Sequence, residues 1–246
     1  MSDASQFEAR RYSAVLIAAD DTLTSRATLV ALGCPARQIK KVDVASSDWA
    51  FVAGRVEADT NYSRSIRSAV GSEGTYSHRV YAAEGQIGGN PYLLVASPYV
   101  RLLGDCITRI DRSRNQAVVY LKPSMDRLFG FFESMRPSEL SATRITVLME
   151  GDVGLELVSL SGRNPLRSDL RHALLEVASP YSIRVKGTYI DRRGMNLHAD
   201  RHGNFWFHLG SEAALVNVAA FLSAVSQHGD LRATTNSPLK RVADEE

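Results

Sequence analysis

Long apolar runs and cysteines are both scarce in this chain of 246 residues. No apolar run reaches the roughly 18 residues that a helix needs to cross a bilayer, so the sequence predicts no membrane-spanning segment. The first residues of the chain are polar and lack the apolar core of a secretory signal peptide. The two cysteines, Cys34 and Cys106, lie too far apart for a metal or redox motif. We therefore expect a protein of the reducing cytoplasm, and no motif indicates a cofactor.

The chain also has little net charge of either sign. The chain has 29 lysine and arginine residues against 27 aspartate and glutamate residues, which gives a net charge of +2. This balance argues against a nonspecific DNA-binding protein, which would usually carry a basic excess. Lysine is rare, with 5 residues against 24 arginines. Arginine binds phosphate well, but high genomic GC content would produce the same bias, so the excess identifies no ligand.

The hydropathy pattern predicts an α+β fold. Hydrophobic residues make up 44% of the chain, which is enough for a sizeable core. Strand-like and helix-like stretches alternate between Tyr92 and Ala178, and two or three strands then follow in succession. This order favours a mixed β-sheet with helices packed on it, ending in a C-terminal β-hairpin followed by a buried helix.

Polar and turn-rich stretches suggest the limits of the domain. We expect a flexible N-terminus over residues 1–11 and a flexible C-terminal tail over residues 230–246, because both are polar and aperiodic. Residues 12–229 would form a single α/β-type globular domain. A glycine-rich break at residues 85–91 marks a possible subdivision.

The clearest helix in the pattern begins at Asn164-Pro165. Four apolar residues at helical spacing would form one face of it: Leu166, Leu170, Leu174 and Val177. We therefore predict a helix over residues 165–178, with Leu170 and Leu174 buried.

The stretch "NLHADRHGNFWFHLGSEAAL", residues 196–215, contains three histidines, an aspartate and a tryptophan. A loop at residues 201–203, with Gly203 in the left-handed conformation, predicts a β-hairpin. The register that this loop sets places His198 opposite Trp206 and sorts the apolar residues onto one face. The other face would carry Asn196, His198, Asp200, Trp206 and His208.

Two interpretations of this polar face stay open. It is either the solvent side of an antiparallel sheet or the floor of a binding site. An exposed tryptophan on such a face is unusual, which favours a site. His198, His208 and Asp200 would suit a first-row metal, but no metal-binding motif accompanies them, and we predict no metal.

The same stretch resembles the active-site motif of the phospholipase D-like superfamily, in which His-x-Lys on a strand precedes Gly-Ser at the start of a helix. His198 takes the histidine position, and Gly210-Ser211 takes the Gly-Ser position. The resemblance implies covalent catalysis, with His198 as the nucleophile and Ser211 as a phosphate ligand. The lysine position holds Asp200, whose charge would repel a phosphate. The resemblance therefore implies a degenerate, non-catalytic relative as readily as an active enzyme.

Basic residues next to the hairpin would supply the missing cation. Arg184 and Lys186 lie on the preceding strand, and Arg193 lies in the turn that connects it to the hairpin. As phosphate-binding residues beside a base-stacking Trp206, they would also suit single-stranded nucleic acid.

Three functions remain open on the sequence. The favoured one is a non-catalytic or degenerate component of a bacterial complex that has protein partners and handles single-stranded nucleic acid. The alternatives are a phospholipase D-like phosphodiesterase or nuclease with a diverged histidine site, and a nucleotide or small-molecule sensor. A homo-oligomer is compatible with each of them.

Overall fold

The computed structural model describes residues 10–20, 23–45, 48–59, 75–87, 89–114, 117–134, 140–151, 154–187 and 196–241. These residues form twelve strands and five α-helices. The strands are β1 (Arg10–Ala18), β2 (Lys40–Val42), β3 (Trp49–Asp59), β4 (Thr75–Ile87), β5 (Asn90–Ser97), β6 (Tyr120–Lys122), β7 (Leu140–Gly151), β8 (Gly154–Ser161), β9 (Ala178–Gly187), β10 (Asn196–Asp200), β11 (Asn204–Leu209) and β12 (Arg232–Thr234). The helices are α1 (Ser25–Ala31), α2 (Val100–Arg114), α3 (Met125–Ser134), α4 (Asp169–Leu175) and α5 (Leu215–His228).

Antiparallel sheet dominates the structure, and the predicted α+β fold built on a mixed sheet is wrong. Within the described part of the chain, every strand pair with a defined register runs antiparallel. Very short connections join β4 to β5, β7 to β8 and β10 to β11. Strands joined so closely can pair only antiparallel, because a parallel pair needs a crossover of a dozen or more residues. The strand–helix alternation in the sequence does not make neighbouring parallel strands, since β5 and β6, which flank α2, each pair antiparallel with β1 between them.

The chain forms two compact units. The first unit comprises Arg11–Leu121 and Ala233–Glu246, and the second comprises Met1–Arg10 and Lys122–Arg232. The glycine-rich stretch at residues 85–91 belongs to the first unit and includes the end of β4 and the start of β5.

In the first unit the strands follow the order β2-β3-β4-β5-β1, with β6 beside β1 and β12 beside β6. Helices α1 and α2 cover one face of this sheet and bury Leu29 and Leu103 against it. Leu239 joins the same core from a 3₁₀ turn at Pro238–Arg241. The segment at residues 230–246 thus contains both β12 and a residue of the core.

In the second unit the order is β11-β10-β9-β7-β8. Helix α3 packs against β9 and helix α5 packs against β7. Gly187 of β9 lies close to α5, since a Cβ atom there would be 2.3 Å from Cγ of the buried Asn217. A side chain at residue 187 would therefore clash with the Asn217 side chain. The buried helix after the hairpin is present, since α5 buries Leu215, Val218, Phe221, Leu222 and Val225.

The helix predicted over residues 165–178 is shorter, and its buried face is different. Residues Pro165–Arg167 form a 3₁₀ turn, and α4 begins only after Ser168, whose hydroxyl accepts a hydrogen bond from the N–H of Arg171. Leu166 therefore lies in the 3₁₀ turn and not on the helix that carries Leu170 and Leu174. Leu170 is 58% exposed and Leu174 is half-buried, so the prediction that both are buried is wrong. The buried residue is Arg171, which donates a hydrogen bond of 2.6 Å to the Glu133 carboxylate on α3.

No helix in the described ranges is long and apolar enough to cross a membrane.

Candidate functional site

The β10–β11 hairpin forms in the predicted register. Leu197 pairs with Phe207 and His198 pairs with Trp206. Gly203 in the loop has a φ of 87°, in the left-handed region that a non-glycine residue rarely adopts. The apolar face is buried, with Leu197 fully inaccessible to solvent. The register and the sorting of faces are therefore confirmed.

Asp200, which takes the lysine position of the phospholipase D-like motif, stabilises the turn of this hairpin. Its carboxylate accepts hydrogen bonds from the backbone N–H groups of His202 (2.8 Å) and Asn204 (3.0 Å) and from the Asn204 side-chain amide (2.8 Å). The residue is only 7% exposed. An aspartate that bonds to the backbone two residues on is a common turn device. Asp200 thus has a structural role that a lysine at this position could not fill.

A row of aromatic and basic side chains crosses the polar face of the sheet. On β10, His198 pairs with Trp206 of β11 on one side and with Arg184 of β9 on the other. The rings of His198 and Trp206 stack with centroids 4.9 Å apart and an angle of 12° between their planes. The Arg184 guanidinium carbon lies over the Trp206 ring, 4.7 Å from its centroid. All three residues are half-buried, so the row is partly open to solvent.

The row continues onto strands that the sequence did not associate with the hairpin. Arg184 pairs with the exposed Arg144 of β7, whose Nε donates a hydrogen bond of 2.8 Å to the hydroxyl of Ser161 on β8. We define the polar row as Trp206, His198, Arg184, Arg144 and Ser161. Arg144 is the residue that sequence reasoning missed. A β-bulge between Ala142 and Arg144 sets its position, and no local pattern predicts that bulge.

The remaining predicted site residues lie outside the polar row. Lys186 is exposed on β9 and pairs with Asn196, one step along the face from Arg184. Ser211 follows β11, whose last residue is already three positions, or about 10 Å of strand, beyond Trp206. Its side chain makes no capping hydrogen bond to the 3₁₀ turn at Glu212–Ala214. Arg193 lies outside the described residues.

The polar row can bind planar and anionic groups. The stacked imidazole and indole rings present planar surfaces, and the guanidinium over the indole adds a positive charge next to them. In the described part of the chain, no cluster of three histidine, cysteine, aspartate or glutamate side chains is placed to hold a metal ion.

Comparison with protein-family models gave no match, and comparison with curated protein sequences gave none either. The function is therefore inferred from the site alone.

Proposed function

We propose that the second unit binds single-stranded nucleic acid on its polar row, as a non-catalytic component of a larger assembly. The observation that carries this proposal is the stack of His198 on Trp206, with Arg184 over the indole. Proteins that bind single strands place unstacked bases on aromatic rings or on arginine planes, and they often use the face of an antiparallel sheet to do so.

Each of the three groups of the stack is half-buried and therefore partly open to solvent. Trp206 contacts both His198 and Arg184 through its ring, so a base that lies against any of the three planar groups would extend one stack. Trp206 connects the other two groups, and it is the base-stacking residue in this proposal.

The charges next to the stack favour a phosphate backbone. Arg184 and Arg144 lie directly opposite each other on neighbouring strands, which is unfavourable for two like charges. An anion between them would relieve this repulsion. Lys186 adds a third cation on the same face. The one acidic residue of the hairpin, Asp200, lies in its turn, where its carboxylate already accepts three hydrogen bonds from the protein.

Fluorescence anisotropy of labelled oligothymidine and oligouridine tests the proposal. Trp206→Ala should weaken binding by about tenfold or more, since a stacked base contributes roughly 1–3 kcal/mol. Arg184→Gln should reduce the steepness of the plot of log affinity against log salt concentration by about 0.7, because one phosphate contact to the single strand is lost. Arg127→Gln removes an exposed arginine on α3 of the same unit and should match wild type. Equal, weak binding by all four proteins would exclude this function.

A phospholipase D-like phosphodiesterase is the second candidate, and one observation favours it. Arg184 lies across from His198 and could serve as the cation that the motif takes from lysine. The position of Ser211 beyond the row and the burial of Asp200 count against it. If the protein cleaves bis-nitrophenyl phosphate and His198→Ala abolishes that turnover, the protein is a phosphodiesterase and the non-catalytic binding function is excluded.

A further inference from the structure

Strand β8 forms an edge of the sheet in the second unit, and this edge is unprotected. In the described part of the chain β8 pairs only with β7, through a register that covers all 8 of its residues without a bulge. Proteins usually keep an edge strand from pairing with other chains by means of lysines, prolines, bulges or a very short strand. β8, with the sequence GLELVSLS, has no lysine and no proline, and its only charged residue is Glu156. The strand itself therefore presents no barrier to a further strand.

The edge strand β2 of the first unit, by contrast, carries the usual protection. It is only 3 residues long, and both Lys40 and Lys41 on it are exposed. A short strand leaves few backbone groups for a partner, and neighbouring lysines oppose a second edge of the same kind. The two edges of this chain thus differ in both length and charge, and β8 is the one that is suited to pairing.

Two large apolar side chains are exposed at the β8 edge. Leu155 is 65% exposed and Leu157 is 55% exposed. Because side chains alternate along a strand, both leucines lie on the same face of β8 as Ser161, the last residue of the polar row. Neighbouring exposed leucines beside an open strand edge are typical of an interaction surface.

We propose that β8 pairs antiparallel with β8 of a second copy of this chain, which gives a two-fold symmetric dimer. A two-fold axis perpendicular to the sheet brings the same strand of both copies together and keeps equivalent residues on the same face. In the register centred on Leu157, this leucine lies opposite its own copy, and Leu155 lies opposite Ser159. Glu156 then lies opposite Val158 rather than opposite the second Glu156, so no like charges are directly opposed.

A second copy suits this edge better than a partner chosen by charge. With one charged residue in a strand of 8, β8 offers little for an oppositely charged partner to recognise. Its sequence is complementary to itself when reversed, which is what a two-fold interface between identical chains requires. The dimer would join two sheets of five strands, with both polar rows on one face. Joint use of the two rows rests on the proposed function, whereas the dimer does not.

Sedimentation equilibrium of the full chain over about a hundredfold range of concentration tests the proposal. We expect the mass to rise from one copy toward two as the concentration increases, because a small edge-to-edge interface is weak. Leu157→Lys places like charges opposite each other and should raise the dissociation constant at least about tenfold. Leu170→Lys makes the same substitution at a leucine of α4 that is 58% exposed, and it should dimerise like wild type.

Cross-linking shows whether β8 is the contact. A short bismaleimide should link Leu157→Cys into a dimer, because residues directly opposite on antiparallel strands have Cβ atoms about 4.5–5.5 Å apart. Leu170→Cys should stay unlinked on a denaturing gel. If Leu157→Lys fails to fold by circular dichroism, Leu155→Lys replaces it.

Three results would overturn the dimer: a mass of one copy at every concentration, a dimer that the lysine variant at β8 leaves intact, or equal cross-linking of Leu157→Cys and Leu170→Cys. A dimer that meets these tests but binds no oligonucleotide supports the inference and excludes the proposed function alone.

Discussion

His198 and Trp206 face each other across β10 and β11, with their rings nearly parallel and 4.9 Å apart. Such a cross-strand aromatic contact should stabilise the hairpin by about 0.5–1.5 kcal/mol beyond its buried area. A double-mutant cycle of His198→Ala and Trp206→Ala, followed by urea unfolding, should give a coupling energy of that size. A cycle that combines Trp206→Ala with His172→Ala on α4 serves as the control and should give a coupling near zero. Equal couplings in the two cycles would show that the stack contributes nothing specific.

Asp200 should stabilise the folded protein through the hydrogen bonds that it accepts in the turn rather than through its charge. Asp200→Ala removes the acceptor for two backbone N–H groups and one side-chain amide, and should lower the free energy of unfolding by about 1–3 kcal/mol. Asp200→Asn retains an oxygen for both backbone donors and should recover most of this loss. Chemical denaturation of the three proteins measures both effects. If Asn is as destabilising as Ala, the carboxylate acts through its charge instead.

The hairpin could be predicted from the sequence because its information is local. Gly203 sets the loop, and strict alternation on both sides of it leaves a single register that separates apolar from polar residues. The neighbours of the hairpin could not be predicted in the same way. The contact between His198 and Arg184 depends on pairing between β9 and β10, whose connection is several residues long. The sequence indicates Arg184 only as one of several basic residues that could lie near His198. Arg144 depends on a bulge in a third strand.

The packing of α4 could not be predicted, because the helical spacing of the apolar residues extends over positions where the helix has not yet begun. Leu166, Leu170, Leu174 and Val177 keep the spacing of a helix face, but the Ser168 cap separates the first of them from the rest. Leu166 is fully buried below the 3₁₀ turn, whereas Val177 is 64% exposed. Tertiary contacts of Arg171 and Leu166 decide the packing there, and periodicity alone carries no information on them.

The packing of α4 leads to a prediction opposite to the one from the sequence pattern. Leu170→Ala should change the free energy of unfolding by less than about 0.5 kcal/mol, because the side chain is 58% exposed. Arg171→Ala should cost about 1–3 kcal/mol, because it removes the hydrogen bond to Glu133 and leaves that carboxylate partly buried. Urea midpoints of the two neighbouring variants give the comparison directly. If Leu170→Ala lowers the free energy of unfolding more than Arg171→Ala does, the leucine face predicted from the sequence is the buried one.

The two cysteines should make stability fall in alkaline solution. Cys34 and Cys106 are free and only 2% and 1% exposed, and burial raises the pKa of each thiol to about 12. In the unfolded chain a thiol ionises near pH 8.5, so above that pH the unfolded state loses protons that the folded state retains. The contribution of the buried thiols to stability is therefore complete below about pH 8.5 and is lost progressively as the pH rises toward about 12.

Urea unfolding at several pH values between about 8 and 10.5 measures this loss, which should approach 1 kcal/mol per pH unit for each thiol. The double variant Cys34→Ala/Cys106→Ala will be less stable overall because it leaves cavities, but its stability should fall less steeply with pH than that of wild type. Lysines and tyrosines titrate in both proteins and cancel in the comparison of slopes. A thiol reagent such as dithionitrobenzoate should also react with the native protein only as fast as it unfolds, because the thiolate is the reactive form. Parallel pH slopes in the two proteins, or rapid labelling of the native thiols, would mean that the sulfurs are more accessible to water than their burial indicates.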